Sequence, residues 1–424
     1  MNIHITNGRI VDPATNTDKT ADLFIADGKI AAIGNTPVGF KAERVIDAKG
    51  CVVCPGLVDL SARLREPGFE YRATLESEMA AAAAGGVTSL ACPPDTDPPL
   101  DEPGLVEMLK HRARLPDFAH VYPVGALTEK LDGKHLTEMA ELAEAGCIAF
   151  SQANTPIRDT QIMLRAMQYA ATFDFPVWLS AQDPHLARDG VAHDGEVASR
   201  LGLTGIPVVA ETIAIATLLH LVRETGVRLH LQRISSAAGL EMVSAARAAG
   251  IAVTCDVSIN HLHLSEMDIG YFNPHARLDP PLRSQRDRDA LRAGLASGAV
   301  NALCSDHTPV DDDGKQMPFG EAEPGATGLE LLLPLTLKWA EEMQLPLALA
   351  LARVTCDPAH IMGIPAGALA VGSAADICIF DPKAEVIVSR ERLKSQGRNT
   401  PFLGLPLAGR VKWTLVDGVV AFGD

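Results

Sequence analysis

One stretch of this chain places a carboxylate beside an imidazole, Cys304-Ser305-Asp306-His307, the combination that acid–base work or metal binding needs. Two further histidines have metal-like spacing in Asn260-His261-Leu262-His263. His185 and His193 lie among Asp183, Asp189 and Asp194, a set that could hold a divalent ion on a loop. For both histidine groups a structural role is the expectation. Cys51-Val52-Val53-Cys54 has redox or zinc spacing, but no second pair follows and its apolar setting reads as a strand. The remaining cysteines, Cys92, Cys147, Cys255, Cys304, Cys356 and Cys378, are scattered singly, as buried free thiols would be. No glycine-rich phosphate loop is present, and no Ser-His-Asp set can be assembled from the spacing.

The periodicity of the chain says what must position these groups. Residues 1–54 read as short strands and turns, with Asp27-Gly28 as a hairpin between Leu23-Phe24-Ile25 and Ile30-Ala31-Ala32-Ile33. Residues 55–364 alternate between apolar strands and helical stretches. The strands include Val87 to Cys92, Val121 to Val124, Cys147 to Phe150, Val177 to Leu179, Leu229 to Gln232, Ile251 to Cys255 and Ala299 to Cys304. The helices include Glu76 to Ala84, Leu136 to Ala145, Thr160 to Phe173, Ala237 to Ala249 and Arg286 to Ser297. Such alternation predicts an α/β protein built on a (β/α)8 TIM-like barrel. Residues 365–424 return to strands around Asp376 to Pro382 and the Asp417-Gly418 turn, and are expected to join residues 1–54 in one small β-sandwich domain. Pro93 to Pro103 and Asp311 to Pro324 read as long surface loops.

In a barrel of this kind the working groups sit at the C-terminal ends of the strands. Those positions hold little reactivity here. Ser61 and Arg63 follow the first apolar run, Ser151-Gln152 follow Phe150, Ser180 follows Leu179, and Arg233 follows Gln232. Composition adds its own limits. With 424 residues, 47% of them apolar and 21% charged, the chain can bury a barrel-sized core. A formal charge of −16 repels nucleic acid and anionic membranes, so neither is an expected partner. No run reaches the ~18 apolar residues of a membrane span, and Met1-Asn2-Ile3-His4-Ile5 lacks a basic leader, so a cytoplasmic location is expected.

A series of short motifs resembles the amidohydrolase superfamily and, within it, the bacterial type I dihydroorotases. They are Gly8-Arg9-Ile10-Val11-Asp12-Pro13, Pro55-Gly56-Leu57-Val58-Asp59, Leu64-Arg65-Glu66-Pro67-Gly68, Ala84-Gly85-Gly86-Val87-Thr88, Pro280-Pro281-Leu282-Arg283, Ser305-Asp306-His307-Thr308-Pro309 and Gly372-Ser373-Ala374-Ala375-Asp376. They run in order along the whole chain. The resemblance implies an amidohydrolase-type barrel and zinc chemistry that interconverts carbamoyl-aspartate and dihydroorotate. It also implies which positions should bind the metal, and this chain departs from each. Ser61 and Arg63 stand where a His-x-His pair is usual, Gln152 or Ser151 where the bridging carboxylate is usual, and Ser180 and Arg233 where single histidines are usual. Hydroxyl and amide groups are poor zinc ligands alone, and a guanidinium has no lone pair to give. At about 5 Å and an effective dielectric near 20, each arginine would oppose a divalent ion by on the order of several kcal/mol.

Asp306 alone matches the family's catalytic carboxylate, and it is expected to pair with Arg63 or Arg233 in the volume a metal would fill. Arg65 matches the substrate-carboxylate arginine, but Asp95 and Asp279 replace the asparagines usual in the pocket. No metal, other cofactor or substrate is therefore expected at these positions. The resemblance extends to inactive dihydroorotase homologues that assemble with the catalytic chain of aspartate carbamoyltransferase. It implies a non-catalytic subunit of such a hetero-oligomer, with self-association as well. The alternative is an active dihydroorotase or cyclic-amide hydrolase that dispenses with the metal or relocates it.

Overall fold

The apolar run from Cys51 to Leu60 is cut in two at Gly56. In the computed structural model, which describes residues 1–114 and 118–423, Val52–Pro55 joins the sheets of the chain termini while Leu57–Asp59 becomes the first barrel strand. A Cβ on Gly56 would lie 2.0 Å from the Thr88 hydroxyl, so only glycine lets the chain cross there.

The barrel strands are β1 (Leu57–Asp59), β2 (Val87–Cys92), β3 (His120–Ala126), β4 (Ala149–Ser151), β5 (Val177–Ser180), β6 (Leu229–Gln232), β7 (Val253–Ser258) and β8 (Ala302–Cys304). They pair in this order, every pair parallel. Closure comes just beyond the strand ends. Ala62 bridges His307 in parallel, with the Arg63 N–H donating to the His307 carbonyl at 2.9 Å and the His307 N–H to that of Ser61 at 3.0 Å. Buried Asp59 ties the same two segments by accepting the Ser305 N–H at 2.8 Å. Val58, Ala91, Val124, Ala149, Trp178 and Cys304 share one buried cluster, so the barrel is filled rather than hollow. An α/β barrel is thus the observed architecture.

The five helices named from periodicity are present within a few residues of their expected limits, as Leu75–Ala84, Met139–Ala145, Thr160–Thr172, Ala237–Ala248 and Gln285–Ser297. Pro103–Arg114 and Val208–Thr225 are additional. In the latter, Ile215, Leu218, Leu219 and Val222 are buried, yet Val209 and Ile213 face solvent, which blurs the 3.6-residue pattern.

Strands from both ends of the chain share one six-stranded sheet, with Pro55, Cys54 and Val53 opposite Ile377, Cys378 and Ile379. Ile3–Thr6, Leu23–Ala26, Lys29–Ile33 and Arg44–Asp47 form a four-stranded sheet. Ile3, Ile5, Ile10, Leu23, Ile25, Ile377, Ile379 and Leu415 pack in a common core. Both Asp-Gly hairpins form, with positive φ at both turn residues: 51° and 77° at Asp27 and Gly28, 48° and 71° at Asp417 and Gly418. The cysteines are free and mostly buried, Cys51 and Cys356 being the partly exposed ones.

The stretch from Asp311 to Pro324 lies mostly exposed, as expected of a surface loop, but it is anchored to the body at three points. It contains the short helix Asp312–Gln316, and Phe319, Ala322 and Lys315 are buried. The Lys315 ammonium donates to the carbonyls of Pro274 (3.1 Å), Arg277 (3.2 Å) and Glu323 (2.7 Å), a match of three protons to three acceptors. Lys315→Met is therefore expected to cost about 2 kcal/mol or more through stranded carbonyls, read as a lower midpoint in urea unfolding. An unchanged midpoint would show that the lysine does not hold this segment. No helix among the described residues is long and apolar enough to cross a membrane.

Candidate functional site at the barrel mouth

The strand ends bring Arg63, Asp95, Arg233, Asp279 and Asp306 together. Arg233 Nη1 donates to Asp306 Oδ1 at 3.1 Å, and Arg63 Nη1 stands 3.8 Å from the same oxygen. Asp306 thus pairs with both arginines. All three side chains are at least nine-tenths buried. Arg63 also donates from Nε to Asp95 Oδ2 at 2.7 Å and from Nη1 to the Thr308 hydroxyl at 3.0 Å. Arg233 reaches the Ser180 hydroxyl and, at 3.4 Å, the Asp279 carbonyl.

Asn154, on the loop after β4, links these groups and was not singled out from the sequence. Its Oδ1 accepts from both Arg63 and Arg233, and its Nδ2 donates to Asp279 Oδ2 at 3.1 Å. The only available signal was an amide just past a strand end. Arg65, Arg233 and Asp306 adopt left-handed backbone, with φ of 62°, 53° and 50°, at a cost of roughly 1–2 kcal/mol each that the surroundings must supply. Asp256, buried on β7, does so for Arg233 by accepting its backbone N–H at 2.7 Å.

Electrostatics follow from burial and these pairs. Burial works against the Arg233 cation, but Asp306 and Asp279 more than offset it and hold its pKa above the ordinary guanidinium value. Burial pushes the Asp306 carboxyl up, with Arg233 and Arg63 opposing. For Asp95 burial is outweighed by Arg63 and Arg65, so its carboxyl stays below the usual range. Burial, then the neighbouring Arg63, bring Arg65 down to about 10, which leaves it charged at neutral pH.

Other expected positions lie outside this network. Gln152 exchanges hydrogen bonds with the Thr128 hydroxyl, at 2.8 and 3.1 Å. Ser61 is buried and contributes its backbone carbonyl to barrel closure. His307, although next to Asp306 in sequence, bonds Glu78 through Nε2 at 2.6 Å, so that carboxylate and imidazole do not work together. His261 and His263 part company as well. His261 Nε2 meets the Pro281 carbonyl at 3.1 Å and His263 Nε2 that of Leu335 at 2.8 Å, and burial pushes both rings down to about 4. His193 lies 3.4 Å from Arg283, whose cation, after burial itself, disfavours protonation of the ring.

The donor set at the mouth does not fit zinc. The three carboxylates there are already engaged, Asp306 by Arg233 and Arg63, Asp95 by Arg63 and Asp279 by Asn154, and with amide and hydroxyl neighbours they offer neither the imidazoles nor the spare anionic charge that the ion requires. What remains open is a cavity of about 180 Å³ lined by Arg65, Arg72, Asp279 and Glu323 among others. Arg72 is paired with Glu323 at 2.7 Å, whereas Arg65 has a backbone partner, the Pro309 carbonyl at 2.9 Å, and feels Asp95 and Glu323 only from beyond ion-pair distance.

A parallel eight-stranded barrel with polar groups at its C-terminal ends, joined to β-sheets drawn from both termini, is the amidohydrolase architecture. L-hydantoinase from Arthrobacter aurescens superimposes with a TM-score of 0.87 at 26% identity, covering 99% of this chain and 95% of that one. The dihydro-orotase-like family model matches residues 50–238. A dihydroorotase-like protein from Pseudomonas aeruginosa is 47% identical over 418 residues, 99% of each chain, and one from Pseudomonas putida is 45% identical across the full length of both. A dihydroorotase from Syntrophotalea carbinolica is 42% identical, over 100% of this chain and 99% of that one. The chain belongs to the dihydroorotase-like family of amidohydrolases.

Proposed function

We propose that this chain is a non-catalytic subunit that supports the assembly and activity of aspartate carbamoyltransferase in pyrimidine biosynthesis. The observation that carries the non-catalytic half is the state of Asp306: its carboxylate is engaged by Arg233 and Arg63, where hydrolysis in this family would need it free beside a metal. The partner half is supported by the resemblance to inactive homologues that bind the transferase. An exposed apolar cluster adds to it. Tyr271 is 93% exposed and Met267 58%, with Phe272 packed on the tyrosine ring. Met317, 45% exposed, follows the segment that Lys315 ties to Pro274. Apolar side chains left in water at one place mark a surface that something covers.

Co-expression with the transferase catalytic chain is expected to give a stable complex with carbamoyl transfer restored. Replacing Tyr271 and Met267 together by Ala is expected to weaken that complex by about tenfold or more, since exposed aromatics dominate such interfaces. Separate elution of the two chains would overturn the proposal, and full affinity in the double variant would move the interface elsewhere.

One observation favours a second reading, an active cyclic-amide hydrolase. Arg65 stays charged beside an open cavity with no carboxylate at ion-pair distance among the described residues, as a substrate carboxylate would require. Turnover of dihydroorotate by the purified chain would establish that reading and remove the first.

A further inference from the structure

At the opposite end of the barrel, three chain segments bring together a ligand set that the mouth lacks. His120 opens β3, Asp376 directly precedes the strand Ile377–Ile387, and Asp417 is the first residue of the hairpin turn before Val419–Gly423. His120 Nε2 lies 3.2 Å from Asp376 Oδ2 and 3.7 Å from Asp417 Oδ2, and one ligand atom from each residue falls within 4.8 Å of the others. We propose that His120, Asp376 and Asp417 form a binding site for a zinc-class divalent cation that clasps the N-terminal end of the barrel to the sheets of the chain termini.

The distances suit such an ion. Zinc bonds of about 2.0–2.2 Å in a tetrahedron separate neighbouring ligand atoms by about 3.3–3.6 Å, close to both spacings from Nε2. The free valences are arranged for it too. Asp376 Oδ1 accepts the Asp417 N–H at 2.8 Å, which fixes that carboxylate and leaves Oδ2 towards His120. A cavity of about 550 Å³, lined by His120, Tyr122 and Asp417, gives water access to a fourth position. Lys110 and Arg114 border that cavity, but the Lys110 ammonium is committed to the Ala145 carbonyl at 2.9 Å. Two carboxylates here, one of them nine-tenths buried, call for positive charge, which a divalent ion supplies in full. A proton on His120 supplies half of it, and the ring pKa is indeed raised, first by its hydrogen bond to Asp376. Protons and metal therefore compete for one nitrogen.

The full-length chain, free of affinity tags and stripped with a chelator, would be titrated with zinc chloride by calorimetry, with thermal unfolding followed in parallel. One saturable zinc per chain is expected, with a higher Tm and an affinity that falls from about pH 7.5 to about pH 6 as the imidazole protonates. Asp417→Asn, which keeps a residue tolerant of left-handed backbone, is expected to weaken binding by at least about tenfold, and His120→Ala to abolish it. Asp306→Asn at the barrel mouth should leave it unchanged. Absence of saturable binding, undiminished binding in both clasp variants, or loss of binding in Asp306→Asn would each overturn the proposal, the first leaving a protonated histidine bridge alone.

Discussion

Asp306→Ala lowers the free energy of unfolding by about 3–5 kcal/mol, the cost of stranding buried charge when one partner of an ion pair is removed. The geometry makes the penalty large. Removal of the carboxylate leaves the guanidiniums of Arg233 and Arg63, 2% and 5% exposed, facing each other without the anion between them. Arg63 retains Asp95, but Arg233 keeps only neutral hydrogen-bond acceptors, Asn154, Ser180 and the Asp279 carbonyl, with the Asp279 carboxylate acting on it from farther off. Asp306→Asn, which preserves shape and some hydrogen bonding, should fall between wild type and Ala. Pairing the loss of both charges, Asp306→Leu with Arg233→Met, should recover part of the stability, because two apolar side chains leave no charge uncompensated. Urea denaturation of the four proteins measures all of this. A wild-type midpoint for Asp306→Ala would mean that the carboxylate does not neutralise the mouth.

The second large effect is expected one layer behind the mouth, at Glu78 and His307, both fully buried. The Gly328 N–H donates to His307 Nδ1 at 3.1 Å, so the ring proton sits on Nε2 and is given to Glu78. Glu78 also accepts the Gln396 N–H at 3.0 Å and the Ser77 hydroxyl at 2.7 Å, linking the first barrel helix to the segment near residue 396. Glu78→Ala is expected to cost about 3 kcal/mol or more, from a lost charge-assisted bond and an unpaired imidazole N–H.

Its pH signature is distinct. Burial would raise the Glu78 carboxyl, but the hydrogen bond from His307, with that from Ser77, outweighs it and holds the group below the ordinary glutamate range. The folded state then binds fewer protons than the unfolded one, so the contribution is complete above about pH 4.3 and disappears as pH falls through the lower folded value. Glu78→Gln should flatten the acid limb of the Tm–pH curve below about pH 4.5 while leaving its slope above pH 6 unchanged. An acid limb identical to wild type would remove Glu78 from the groups that set acid stability.

The sequence disclosed the barrel through local signals. Strand runs such as Val87–Cys92 and Leu229–Gln232 are buried throughout because both their faces are covered, and are anchored by apolar residues such as Val87, Leu90, Leu229 and Leu231, while the two Asp-Gly turns need nothing beyond their own φ preferences. Helix Val208–Thr225 was less legible because apolar residues lie on its solvent face as well as its buried one. The short helix in the segment after Asp311 was hidden for another reason: its polar sequence is held by Lys315, which is buried and whose acceptors lie on two stretches of chain, at Pro274 and Arg277 and at Glu323.

At the mouth, residue type alone excluded zinc binding by Arg63 and Arg233, since a guanidinium keeps its protons and offers no lone pair wherever it is placed. Tertiary structure decided the rest. That Asp306 meets both arginines, that Asn154 bridges them, and that His307 points to Glu78 rather than to its neighbour all depend on barrel closure between β1 and β8. The clasp of His120, Asp376 and Asp417 was invisible for the same reason, its members lying 256 and 41 residues apart. Local propensity is set within a few residues of chain, whereas partner choice between charged groups is set by which strand ends the closed barrel brings within bonding distance.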